Sequence, residues 1–134
     1  MPRFRYFRDA LFITACLAYG INRCLIKPYV APGFMTCHFN DLWLIPCALP
    51  PVLWLHRLLG LRGDDAPPRP AEIAVHLVFW SWVFEWALPR ATHAMGDPAD
   101  VVAYAAGALL AGLWWNSQSF LSAATHPAQP SPSR

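Results

Sequence analysis

The sequence predicts an all-α membrane protein, four transmembrane helices in a small bundle. Three observations carry that prediction. The chain is 56% hydrophobic and 13% charged, where soluble domains average about 25% charged. Four apolar runs near membrane-spanning length are separated by polar or proline-containing segments. Seven Trp suit a chain with two membrane–water interfaces. Fourteen Pro also fit a bilayer better than a compact soluble α-domain, because neighbouring helices there satisfy the backbone groups that proline frees. A net charge of +2, without basic residues clustered among stacking aromatics, argues against nucleic acid as a partner. The partner implied is the lipid bilayer.

The transmembrane domain is expected over residues 1–124, with spans at about 9–26, 41–61, 72–89 and 98–120. Arg3, Arg5 and Arg8 precede the apolar run of the first span. Charged head and apolar core resemble a signal peptide, but no small-x-small cleavage site follows, so the run reads as a membrane helix. After a loop with Pro28, Pro32 and Gly33, Asn40 or Asp41 supplies a capping side chain for the second span. That span holds Pro46, Pro50 and Pro51 and is expected to be kinked or partly irregular. The stretch RGDDAPPRP at 62–70 is the clearest linker. The third span ends at Pro89, and the fourth starts at Asp97-Pro98, a cap followed by a residue pre-set for the first helical turn. The Pro/Ser-rich tail at 125–134 is expected to be disordered.

Basic residues set the orientation. With the N-terminus inside, Arg3, Arg5, Arg8, Arg57, Arg62, Arg69 and Arg134 collect on the inner side, and Arg23, Lys27 and Arg90 on the outer side. Both termini are therefore expected in the cytoplasm. Four helix ends then meet at the outer face. They bring Asn22, Arg23, His38, Asn40, Asp41, Glu85, Arg90, His93, Asp97, Asp100 and Tyr104. Glu85 is the central residue, since an acid inside an apolar span marks a functional site by default. It should face the bundle, with Arg23, Arg90 or His93 as its cation. The ligand-binding set read from the sequence is Glu85, Asp41, Arg90, His93, Asp97, Asp100, Tyr104 and Arg23. His38 reads as an interfacial polar residue. On the fourth span Asp97, Asp100, Tyr104, Gly107 and Ala111 share one face. Ala103, Gly107 and Ala111 form a small-residue seam expected to pack against the third span. No zinc spacing appears among the four Cys, and no cofactor or resident metal is read. Cys24 and Cys37 flank the first loop, where an oxidising compartment would allow them to pair.

At these residues the chain resembles the small VanZ-like membrane proteins of bacteria. That family has an Asp before its second helix and then an apolar, proline-containing run, matched by Asp41 and Pro46. It has a Glu near the end of one helix, an Arg in the turn, two Asp, an Asn, and two Gly in the next helix. Glu85, Arg90 or His93, Asp97, Asp100, Gly107 and Gly112 match these. Leu88 stands where the family has Gln, and Tyr104 where it has Asn. The likeness covers residues 40–112. It implies a multi-pass protein of the bacterial inner membrane with a role in the cell envelope or in the response to antibiotics, the family's founding role being low-level teicoplanin resistance.

The first expectation for function is an outer-face polar pocket that binds an envelope-derived ligand, lipid-linked or small and polar. The second is a secondary transporter, or a subunit of one, that uses Glu85 as a proton or cation site. Four spans without an internal repeat would then need a homo-oligomer. The third is a metal-dependent membrane enzyme, with Glu85, Asp97, Asp100 and His93 as ligands. No nucleophile or phosphate motif supports catalysis.

Overall fold

Helices and the turns between them make up the whole of the computed structural model, which describes residues 4–63, 66–92 and 96–125, with side chains as far as Ser117. A 3-10 turn at Arg5–Arg8 leads to Asp9, whose carboxylate accepts the Leu11 N–H at 2.9 Å and starts α1, Ala10–Ile21. α1 widens into a π turn at Asn22–Ile26. After one short turn of helix, α2 (Phe34–Cys37), come α3 (Phe39–Leu58) and α4 (Pro70–Trp82). α4 passes through a second π turn, Val83–Ala87, into α5, Leu88–Thr92. α6 runs from Pro98 to Thr125.

Two stretches are long and apolar enough to cross a membrane, Pro70–Thr92 with 23 residues and Pro98–Ser117 with 20. The first run, Ala10–Ile26, is apolar but shorter. Large apolar side chains point away from the bundle along α4 and α6. Val75, Val78, Val102, Leu109 and Leu113 are 65–71% exposed. An outward apolar face of that extent calls for a non-aqueous neighbour.

The bundle is centred on α3 and α6, which run parallel. His38 and Leu42 meet Asp100 and Gly107 at one end, and Ile45, Leu49 and Leu53 share the core with Ala111 and Trp115 further along. α1 lies antiparallel on α3. Asn22 bonds Asn40 at one end, and Phe7 packs on Trp54 at the other. α4 lies antiparallel on α6, with Ile73 facing Gly112 and Glu85 facing Tyr104. Asp9 ties the start of α1 to α6, accepting from the indole N–H groups of Trp114 at 3.2 Å and Trp115 at 3.0 Å.

Several local expectations are corrected. α3 is helical through Pro46, Pro50 and Pro51, so the expected irregular stretch is absent from it. Pro46 removes the N–H that Leu42 C=O would accept, and that carbonyl lies against Gly107 of α6. A Cβ on Gly107 would overlap the Leu42 oxygen and stand 3.4 Å from the Pro46 ring. The small-residue seam thus belongs to the α3–α6 contact, where a glycine lets a second backbone approach a carbonyl left free by proline. α4 occupies the neighbouring face of α6, over Ala105, Ala108 and Gly112. The third helix does not end at Pro89 but continues to Thr92, because the π turn before it shifts the hydrogen-bond register. Neither Asn40 nor Asp41 caps α3. The helix starts at Phe39 after His38, without a side-chain cap. Cys24 and Cys37 are free thiols. The expected disorder of the tail falls, beyond Thr125, outside the described residues.

Candidate functional site

The two π turns lie at the same end of the bundle and set the site. The first turns Asn22 inward, where it is 1% exposed. Its amide donates to Met35 C=O at 2.7 Å and to Asn40 Oδ1 at 2.9 Å, which fixes the end of α1 to the α2–α3 corner. The second presents Glu85 toward α6. Glu85 Oε1 accepts the Tyr104 hydroxyl at 2.9 Å, and Oε2 accepts the Asp97 N–H at 2.6 Å. Pro89 lacks the N–H that an α-turn would offer the Glu85 carbonyl, and that carbonyl lies against Gly96 so closely that a Cβ there would overlap it. The proline–glycine device of the α3–α6 seam recurs here.

α6 supplies the opposite wall. Asp97 caps the helix through the Ala99 N–H at 2.9 Å, leaving its second carboxylate oxygen uncommitted to the cap. One turn on, Asp100 Oδ1 is 2.6 Å from His38 Nδ1. That hydrogen bond holds the imidazole above its usual pKa of 6.5, and the charges of Asp97 and Asp41 act in the same direction. Asp41, on the first turn of α3, lies against Asp100 and within electrostatic reach of Glu85. One donor atom from each of His38, Asp97 and Asp100 lies within 4.8 Å of the other two.

The structure therefore brings together Glu85, Asp41, Asp97, Asp100 and Tyr104 of the sequence-predicted set and adds His38. It leaves out Arg23 and Arg90. Arg23 follows the buried Asn22 by one position and lies on the exposed side of the turn. Arg90 lies over Trp86, its guanidinium carbon 3.8 Å from the ring centroid, and donates to the Trp86 carbonyl. Glu85 consequently meets a phenol and a backbone amide rather than a guanidinium. His93 lies outside the described residues. His38 was legible only as one of several polar residues at this face. Its place opposite Asp100 depends on α2, a four-residue turn that the sequence reads as loop.

No Lys or Arg forms an ion pair with Asp41, Glu85, Asp97 or Asp100 among the described residues. Among the described residues, these four carboxylates are served by one imidazole, one phenol and backbone N–H groups. Beside them lies an apolar cleft of about 420 Å³ between the α2–α3 corner and α6, lined by Phe34, His38, Leu42, Ala99, Val102, Ala103 and Ala106. His38 belongs to both the cleft and the carboxylate cluster. No protein-family model matches this chain, and no curated protein or solved structure does.

Proposed function

We propose that this is a small multi-pass protein of the bacterial inner membrane, of VanZ-like type, that binds an amphiphile of the cell envelope. The observation that carries the reading is the shared position of His38. An apolar cleft open on the bundle's flank leads to a cluster of carboxylates at the bundle's end. A lipid chain fits the cleft, and a polar head fits the cluster. The head must be rich in donors, since ionised carboxylates only accept hydrogen bonds. Hydroxyl- and amine-bearing heads of lipid-linked cell-wall precursors have that chemistry.

In this reading α1, α3, α4–α5 and α6 are the four spans. The basic residues of the other end lie in the cytoplasm, and the carboxylate cluster faces outward. A reporter active only in the periplasm, fused to the C-terminus, should stay silent. Strong activity would move the cluster to the inner face. Native mass spectrometry of detergent-purified protein should retain a lipid-linked cell-wall precursor. Ala103→Trp, which fills the cleft, and Glu85→Gln, which removes a charge at constant shape, should each lose it. Unchanged binding in a folded Ala103→Trp variant would remove the cleft from the reading.

A further inference from the structure

We propose that His38, Asp97 and Asp100 form a binding site for one divalent transition-metal ion of the Zn²⁺ or Mn²⁺ class. The inference goes beyond the amphiphile reading and does not depend on it.

The donor geometry is the first support. Zn²⁺–nitrogen and Zn²⁺–oxygen bonds of roughly 2.0–2.2 Å hold the ligand atoms of one ion up to about 4.4 Å apart, and side-chain rotation of a few tenths of an ångström closes a slightly wider set onto it. The three donor atoms here lie within 4.8 Å of one another. Donor chemistry is the second. One imidazole with two carboxylates is a mixed nitrogen–oxygen set, which suits Zn²⁺ and Mn²⁺ better than Ca²⁺ or Mg²⁺, whose ligands are oxygens alone. The set is also assembled from afar. His38 stands at the α2–α3 corner and reaches Asp100 across 62 residues of chain.

Charge is the third support, and it comes from outside the triad. Asp41 sits behind Asp100, and Glu85 contacts the Asp97 backbone. Both are carboxylates, and neither has a Lys or Arg partner among the described residues. Among the described residues, four acids against one imidazole leave a net negative site even with His38 protonated. A divalent ion neutralises two of those charges and takes its ligands from the residues nearest to hand. The roles already assigned to the triad leave room for it. Asp97 caps α6 through one oxygen and keeps the other, and the ion would take the place of the proton between His38 Nδ1 and Asp100 Oδ1.

The test uses the full chain, purified in detergent through a tag without histidine and stripped with a chelator. Mn²⁺ is titrated with free Mn²⁺ read by electron paramagnetic resonance, and Zn²⁺ is added as competitor. One saturable site per chain is expected, with Zn²⁺ displacing Mn²⁺ and a pulsed spectrum showing coupling to an imidazole nitrogen. His38→Gln should abolish that coupling and weaken binding more than about tenfold. Asp100→Asn should weaken it comparably, whereas His56→Ala, at the opposite end of the bundle, should bind as the parent does. Circular dichroism confirms folding, and if Asp100→Asn loses its helicity the His38→Gln result decides. Absence of saturable binding, or a site whose affinity and nitrogen coupling survive His38→Gln, overturns the proposal. Because the titration reads the ion and not the lipid, a metal site that fails here leaves the cleft experiment above to succeed or fail by itself.

Discussion

The two ends of the bundle treat their acids in opposite ways. At the arginine-rich end, each described acid is held by donors. Glu72 accepts from Arg62 at 2.7 Å and from the Arg69 N–H at 2.7 Å. Asp9 accepts from Leu11 N–H and from the indoles of Trp114 and Trp115. At the other end Asp41, Glu85, Asp97 and Asp100 crowd together with no Lys or Arg among the described residues to pair with them. The first end uses its acids to fasten helices. The second also caps α6 through Asp97 and ties Glu85 to Tyr104, yet it gathers more like charge than its hydrogen bonds and His38 balance, and a proton or a bound cation relieves it. A close-packed seam along α3 and α6 holds the two ends in register.

The largest expected effect comes from breaking that seam. Gly107→Leu would drive a side chain into the Leu42 carbonyl and the Pro46 ring. Neither can move without unwinding α3, so the cost should exceed the usual overpacking range of about 1–3 kcal/mol. Thermal unfolding in detergent measures it. A variant as stable as the parent would mean that the two helices are not in contact there.

A smaller pair of substitutions tests the contrast of the ends through its sign. Asp9→Ala removes the cap of α1 and the acceptor of two indoles. A lost cap costs about 1 kcal/mol and a lost hydrogen bond about the same, so destabilisation of about 2–3 kcal/mol is expected. Asp41→Asn removes one of the crowded acids at constant shape and keeps a hydrogen-bonding group beside Asp100. It should leave the melting temperature of metal-free protein unchanged or raise it. If both variants lose stability equally, the carboxylate cluster is a structural ion network like that around Asp9, and the contrast disappears.

How much of this was legible in the sequence follows from what each signal encodes. Asp97-Pro98 states a helix start through local chemistry alone, and the structure has it. The spacing of Tyr104, Gly107 and Ala111 states that they share a face, and all three are buried. Spacing does not state which partner that face meets. Here it is α3, since the carbonyl freed by Pro46 lies opposite Gly107 and no local pattern links residues so far apart in the chain. Arg90 misled because a cation near an acid in sequence reads as its partner, while the Trp86 ring one turn back offered a closer surface. The π turns at Asn22–Ile26 and Val83–Ala87, which hold Asn22 and Glu85, have no residue signature, although the inward face of Glu85 was expected from an acid in an apolar span. The helical architecture was written in composition and punctuation. The site was written in register shifts and in one short turn that carries His38.

The smallest effect is a pH dependence confined to one end. His38 has its pKa raised above 6.5, first by its hydrogen bond to Asp100 and then by the charges of Asp97 and Asp41. The folded protein therefore holds that proton more tightly than the unfolded chain does. Linkage gives the sign. The stabilisation is fully present below the unfolded value of 6.5, and it is lost as pH rises through the higher folded value. In chelator-treated protein the melting temperature should fall across that window, and His38→Gln, which cannot titrate, should flatten the fall. With Mn²⁺ or Zn²⁺ present the dependence should weaken or reverse, because the ion takes the place of the proton against the same carboxylates and binds better as the proton leaves. The arginine-rich end predicts none of this. Asp9 and Glu72 are held by donors that keep their protons throughout that range, so Asp9→Ala should lower the melting temperature by the same amount on either side of it. A pH profile reshaped by Asp9→Ala and untouched by His38→Gln would assign the titration to the wrong end of the bundle for the reading advanced here.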